Sequence, residues 1–170
     1  MSGVLAVFAG LPGVGKSTLA EQVAVALPAT VLSVDTVDYN LTGHGVVLEV
    51  LTAHDVVAAL AEDQLRIGHS VIIDAVNQTR QIRQLWVDLA ERMDVPLRVV
   101  EVVCGDDAEH RRRVEARFAK RDHDGIPDWV RVLERQAEYE PYLGPRLVVD
   151  TFLAKEPVPP VLDYLTFRTS

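Results

Sequence analysis

Apolar residues along this chain fall into short runs rich in β-branched side chains, separated by longer stretches in which they recur with helical period. The short runs predict strands near Val4–Ala9, Val31–Val34, Ser70–Asp74, Leu97–Val103 and Arg146–Val149. Each is continuous enough in apolar character to be expected buried on both faces. The longer stretches predict helices over Lys16–Leu27 and Ala53–Ile67, the second opened by Thr52 with Asp55 three residues on and closed by Gly68. Arg80–Met93 carries the clearest stripe, with Ile82, Leu85, Trp86, Leu89 and Met93 on one side and Arg80, Arg83 and Gln84 elsewhere. Asp107–Arg121 is helical in composition but holds little apolar matter, chiefly Val114 and Phe118, so it is expected near the surface. Pro127 suits the first turn of a helix running to about Tyr139 and ended by Pro141. The tail Pro157–Ser170, with Val161, Leu162, Leu165 and Phe167, predicts a short helix packed on the sheet. Strands alternating with helices imply an α/β fold: a doubly wound, five-stranded parallel sheet with helices on both faces.

Size and charge narrow this picture. A chain of 170 residues, 48% hydrophobic and 25% charged, is expected to form one domain spanning 1–170 with a core that needs neither disulfides nor a structural metal. No repeat, low-complexity tract or linker divides it. Cys104 is the only cysteine and has no partner for a bridge or a zinc site, which suits a reducing compartment. The apolar start follows no basic residue and runs straight into a glycine-rich motif. No apolar run is long enough to cross a bilayer, so the expectation is a cytoplasmic protein without membrane attachment. The formal net charge of -8 has the wrong sign for affinity built on wrapping phosphate backbones, leaving one local basic patch between His110 and Arg121.

The chemistry begins at Gly10, Leu11, Pro12, Gly13, Val14, Gly15, Lys16 and Ser17, followed by Thr18. These residues fill the Gly-x-x-x-x-Gly-Lys-Ser pattern straight after a strand and at the opening of a helix. Glycines there let the backbone curl its N–H groups toward phosphates, and the helix N-terminus adds its positive end. Lys16 supplies a point charge for the β- and γ-phosphates, and Ser17 offers its hydroxyl to Mg²⁺. A purine nucleoside triphosphate, by expectation ATP, is the implied donor.

In doubly wound sheets ligands collect at the carboxyl ends of strands, where acids draw attention. Asp74 ends Val71-Ile72-Ile73 and is the candidate to hold magnesium, commonly through water; a turn or cap role is the plainer alternative. Asp35 follows the second strand and is the candidate to orient or deprotonate an acceptor hydroxyl, with Asp38 beside it. Asp150 reads as structural. Arg113 and Arg117 lie four apart, hence on one helical face, and Lys120 and Arg121 extend it. A segment of about 107–126 is therefore a candidate lid whose arginines close on the triphosphate, against the alternative of a solvated helix paired through Glu109. No histidine pairs at metal-ligand spacing, so all five are expected at surface or cap positions, and Trp86 and Trp129 are expected in the core.

With these residues in view, the chain resembles the P-loop kinases similar to the polynucleotide 5′-kinase domain, the chloramphenicol phosphotransferases and the zeta toxins. The resemblance runs from Gly10 to Asp150 and implies a sheet in the order 2-3-1-4-5 with a helical lid. It matches Asp35 to the acid after the second strand, Asp74-Ala-Val-Asn77 to a strand-ending Asp-x-x-Asn, and Arg80 and Arg83 to arginines soon after. It also matches Arg113 and Arg117 to the lid, and the Trp129 to Pro141 segment to a Trp…Tyr-Glu-Pro stretch C-terminal to the lid. Asp38, Asn77 and Arg80 thereby join Asp35 on the acceptor side. Two departures fall there: Asp38 stands where the polynucleotide kinases resemble one another in arginine, and Val76 where they have threonine. An aspartate would repel an acceptor phosphate, which disfavours nucleic acid. The first reading is thus an ATP-dependent phosphotransferase acting on the hydroxyl of a neutral or amine-bearing small molecule. The alternatives are a nucleic-acid or nucleotide 5′-hydroxyl kinase, with Arg80 or Arg83 holding the acceptor phosphate, and a nucleotide-dependent regulatory protein without transfer chemistry.

Overall fold

A computed structural model describes residues 3–47, 49, 51–120 and 125–167. The strands are β1 (Leu5–Ala9), β2 (Ala29–Ser33), β3 (Ser70–Asp74), β4 (Leu97–Val103) and β5 (Leu147–Asp150). They form one sheet in the order β2-β3-β1-β4-β5, parallel throughout. The helices are α1 (Lys16–Ala26), α2 (Val34–Gly43), α3 (Thr52–Arg66), α4 (Arg80–Met93), α5 (Asp107–Ala119), α6 (Trp129–Ala137) and α7 (Val158–Thr166).

Alternation along β1 sorts the core into two layers, because successive side chains leave a strand on opposite faces. Leu5 and Val7 join Val71 and Ile73 under α3 and α4, where Val57, Ala61, Leu65, Trp86 and Leu89 cover them. Ala6 and Phe8 join Ile72, Val100 and Val102 on the other face, under Leu19, Ala20 and Val23 of α1 and Val161 and Leu165 of α7. β1 and most of β3 are as buried as expected, but β4 is fully buried only at Val100 and Val102. Every residue of β2 keeps partial exposure and Val148 of β5 is exposed, since these strands form the two edges.

Three local expectations need correction. A helix, α2, follows β2 without a turn, because Ser33 ends the strand and its hydroxyl accepts from the N–H of Thr36 at 3.2 Å as the N-cap. Thr52 lies inside α3 instead of capping it; its hydroxyl accepts from the N–H of Glu49 at 3.1 Å. Pro127 precedes the N-cap of α6, which is Asp128, and the helix ends at Ala137. By contrast α4 has the expected bounds, capped by Thr79, whose hydroxyl accepts from Ile82 N–H. Arg121 and residues 168–170, included in two predicted helices, lie outside the described residues.

Candidate active site

Parallel pairing sets Phe8, Ser33 and Asp74 level with one another, so the loop after β1, the start of α2 and the end of β3 converge at one edge of the sheet. The loop's path depends on glycine at two close approaches. At Gly10 (φ 142°) a Cβ would collide with the carbonyl of Val102, and at Gly13 (φ 85°) with the side chain of Val114 on α5. Leu11 and Val14 pack their side chains into the α1 face of the core, which seats the loop. Gly15 takes the N-cap position of α1 with φ 96°, and no side chain caps that helix. Its first-turn N–H groups, from Lys16 to Thr18, therefore retain the anion-binding character of a free helix start.

Lys16 and Asp74 are each 6% exposed, with Lys16 Nζ 3.8 Å from Asp74 Oδ1. That oxygen has no hydrogen bond among the described residues. A buried carboxylate oxygen without a donor is costly unless something else approaches it, and Ser17 borders the same cavity. Asp74 with the Ser17 hydroxyl therefore fits a hydrated Mg²⁺, whose hard charge suits oxygen donors.

The cavity measures about 1260 Å³. Pro12, Ser17 and Asp74 border it on the phosphate side, Asp35 and Asp38 from α2, and Arg117 and Arg135 from α5 and α6. Both acids are exposed and lie three apart on α2, hence on one face. A second hollow of about 450 Å³ adjoins it, bordered by Asp35, Asp38, Val76, Asn77, Arg131, Glu134, Arg135 and Glu138 among others. Asp35, Asp38 and Arg135 border both.

Three expected site residues are placed differently. Asn77 touches the smaller hollow, but it is 1% exposed and its amide is committed inside the fold. Nδ2 donates to the carbonyls of Phe8 and Ala75 at 3.3 Å, and Oδ1 accepts from Trp86 Nε1 at 2.8 Å. Arg80 sits in the first turn of α4, 70% exposed and 3.4 Å from Glu140 Oε2, and borders neither hollow. Arg113 donates to Glu109 at 2.7 Å and to the Thr151 hydroxyl at 2.8 Å, so a carboxylate one turn back and the end of β5 occupy it. The bonds from Arg112 and Arg113 hold the Glu109 carboxyl down to about 2. Arg83 is also spent internally: it donates to the carbonyls of Asn77, Gln78, Glu140 and Pro141 and lies 3.6 Å over the Tyr142 ring.

Other residues matter that no spacing pointed to. His110, expected at the surface, is 5% exposed and bonds through Nε2 to the carbonyl of Pro12 at 2.8 Å, which requires the proton on that nitrogen. Trp129, expected in the core, is half-buried and meets His110 edge-on. Thr151 donates to the carbonyl of Val14 at 2.6 Å while accepting from Arg113, tying α5 and β5 to the phosphate loop. Asp150 is structural as expected. Burial works to raise its carboxyl, but the N–H groups of Gly105, Phe152 and Leu153 outweigh it and keep it below the ordinary value.

A 2-3-1-4-5 parallel sheet, a phosphate loop opening α1 and a lysine beside a strand-end acid define a nucleotide-binding protein of the P-loop kinase fold. The model of the AAA domain family matches residues 5–141, and the chain belongs to that family. It is similar to the bifunctional polynucleotide phosphatase/kinase of Schizosaccharomyces pombe, 25% identical over 124 residues, which is 73% of this chain but only 27% of that protein. Among solved structures it resembles a protein of Chloroflexus aurantiacus j-10-fl, with TM-score 0.77, 20% identity and 97% of each chain covered. It also resembles the Mycobacterium tuberculosis APS kinase CysC in complex with AMPPNP and APS, with TM-score 0.68, 23% identity, and 96% of this chain and 98% of that one covered. Among the described residues no helix is long and apolar enough to cross a membrane.

Proposed function

We propose that this protein is an ATP-dependent phosphotransferase that moves the γ-phosphoryl group to a hydroxyl of a small molecule. The observation that carries the reading is the shared border of the two hollows. Asp35 and Asp38 stand where a cavity ending at Ser17 and Asp74 meets a second one with room for an acceptor. In this reaction the acceptor oxygen attacks the γ-phosphorus, the bond to the β,γ-bridging oxygen breaks, and the hydroxyl proton passes to Asp35. Lys16 and the free N–H groups at the start of α1 hold the phosphates, while Ser17 and Asp74 would hold Mg²⁺, which offsets charge on the phosphate oxygens. Arg117, at the exposed end of α5, is the lid residue retained in this scheme, within a single domain; of the proposed lid at about 107–126, residues 121–124 lie outside the described residues.

The smaller hollow favours a neutral or amine-bearing acceptor, since among the described residues Asp35, Asp38, Glu134 and Glu138 border it against Arg131 and Arg135. A polynucleotide 5′-hydroxyl is the second reading. It draws on the likeness to the polynucleotide phosphatase/kinase, but Arg80 and Arg83, its anchors for an acceptor phosphate, are directed at Glu140 and at backbone carbonyls. Transfer from γ-labelled ATP to a panel of amino sugars, neutral sugars, other hydroxylated metabolites and 5′-hydroxyl oligonucleotides tests the proposal, with Lys16→Ala as the blank. Label on a small alcohol that disappears in the Lys16→Ala protein is the expected result. Label on the oligonucleotide alone establishes the second reading.

A further inference from the structure

We infer that Arg135, on α6, grips the γ-phosphoryl group of the donor at the boundary of the two hollows, the task that sequence spacing suggests for Arg113. The inference rests on the phosphotransferase reading above. Asp35, Asp38 and Arg135 border both cavities, so one guanidinium stands with two carboxylates where a donor phosphoryl and an acceptor hydroxyl would meet. Among the described residues Arg135 is half-buried and makes no hydrogen bond or ion pair. A guanidinium stays charged and carries five donors in a rigid fork, so one held at a cavity boundary without an acceptor is matched to an incoming anion. The other arginines nearby are occupied or peripheral. Arg131, one turn earlier, is bound to Glu134 at 2.8 Å, Arg113 is held by Glu109 and Thr151, and Arg117 is exposed.

The anion facing Arg135 has two possible sources, the γ-phosphoryl or an acidic group on the acceptor. Charge decides between them. The acceptor hollow has four carboxylates against two guanidinium groups, one of them already paired, so an anionic acceptor meets net repulsion there. The γ-phosphoryl instead arrives from the cavity that ends at Ser17 and Asp74, with Lys16 beside Asp74 to hold its charge. Arg135 then touches only the outermost phosphoryl, and a nucleoside diphosphate does not reach it.

The test is calorimetric titration of the wild type, Arg135→Ala and Arg135→Lys with magnesium and either AMPPNP or ADP, with thermal melts as the check on folding. The Arg135→Ala protein should bind AMPPNP about tenfold or more weakly while ADP affinity stays within about twofold, the loss expected of one charge-assisted contact confined to the γ-phosphoryl. Arg135→Lys should recover part of that loss, because charge remains and the fork does not. An AMPPNP-to-ADP affinity ratio unchanged in Arg135→Ala overturns the inference and points to an acceptor anion or no contact. Equal weakening of both nucleotides also overturns it, as the mark of a structural role. A wild type that binds neither nucleotide removes the phosphotransferase reading itself.

Discussion

At the scale of single residues the site separates groups that face its cavities from groups that hold the walls in place, and substitution should tell them apart. Asp35 borders both hollows and is exposed, so Asp35→Asn should leave ATP affinity and stability unchanged. It should lower kcat on the identified acceptor by about 10²–10⁴-fold, the usual worth of a general base. Full turnover in that variant transfers the base role to Asp38. Asn77 stands at the opposite pole. Its amide bridges Phe8 of β1, Ala75 just past β3 and the buried indole of Trp86, and its backbone has φ 54°, a left-handed conformation that costs most residues energy. Asn77→Ala strands the Trp86 N–H and adds that strain, so it should destabilise the protein by about 2–4 kcal/mol, read from urea unfolding midpoints. The phosphate loop and the strand-end acids were legible in the chain because each is a local pattern: a contiguous motif or a carboxylate closing an apolar run. Arg135, His110 and Thr151 were not, since only the tertiary fold brings His110 and Thr151 to the loop and Arg135 to the cavity border, and no spacing sets them apart from surface or core residues. Asn77 was visible as a motif position, but the inward turn of its amide depends on Phe8 and Trp86, distant in the chain.

At the scale of elements, α5 is anchored at one end. His110 bonds to Pro12, Val114 packs at Gly13, and Arg113 reaches Thr151, which in turn holds Val14, so the first two turns are fixed to the phosphate loop. Beyond Val114 the helix is largely exposed: Glu115, Ala116, Arg117, Ala119 and Lys120 all face solvent. Hydrogen exchange should therefore show residues 108–114 protected without nucleotide, and AMPPNP should add protection chiefly at 115–120 and in the loop at 10–18. Uniformly fast exchange across all of α5 in the free protein would remove the anchor and restore a lid hinged at its start. The helices with a clean apolar stripe, α4 above all, could be read ahead of the structure. The one overlooked, α2, is built from Val, Thr, Asp and Asn residues of poor helix propensity. It exists because Ser33 caps it directly from the strand and because it packs on α3. That helix is what carries Asp35 and Asp38 to the cavity border, so the missing element was the one that shapes the acceptor side.

At the scale of the whole molecule, the proposed phosphotransferase reading predicts that charge selects among acceptors. The chain carries a net charge of -8, and the acceptor hollow repeats that sign with four carboxylates against two guanidinium groups. On that reading a nucleic acid should be repelled both at a distance and at the site. Lys16, with Arg117 and Arg135 at the cavity border, would offset this for a triphosphate. Screening works over about 10 Å at 0.1 M salt, so ionic strength should move different acceptors in opposite directions. For an amine-bearing acceptor, kcat/KM should be highest at low salt and fall as salt rises, because attraction into the hollow is screened. For a 5′-hydroxyl oligonucleotide any weak transfer should improve with salt, the reverse of proteins that gain affinity by releasing counterions from phosphates. The measurement is kcat/KM for both acceptors across about an order of magnitude in ionic strength set with potassium chloride, with ATP and magnesium saturating. Oligonucleotide transfer that is strong at low salt and drops steeply as salt rises would mean that a basic track outweighs the net charge. The acidic hollow would then not be where the acceptor binds.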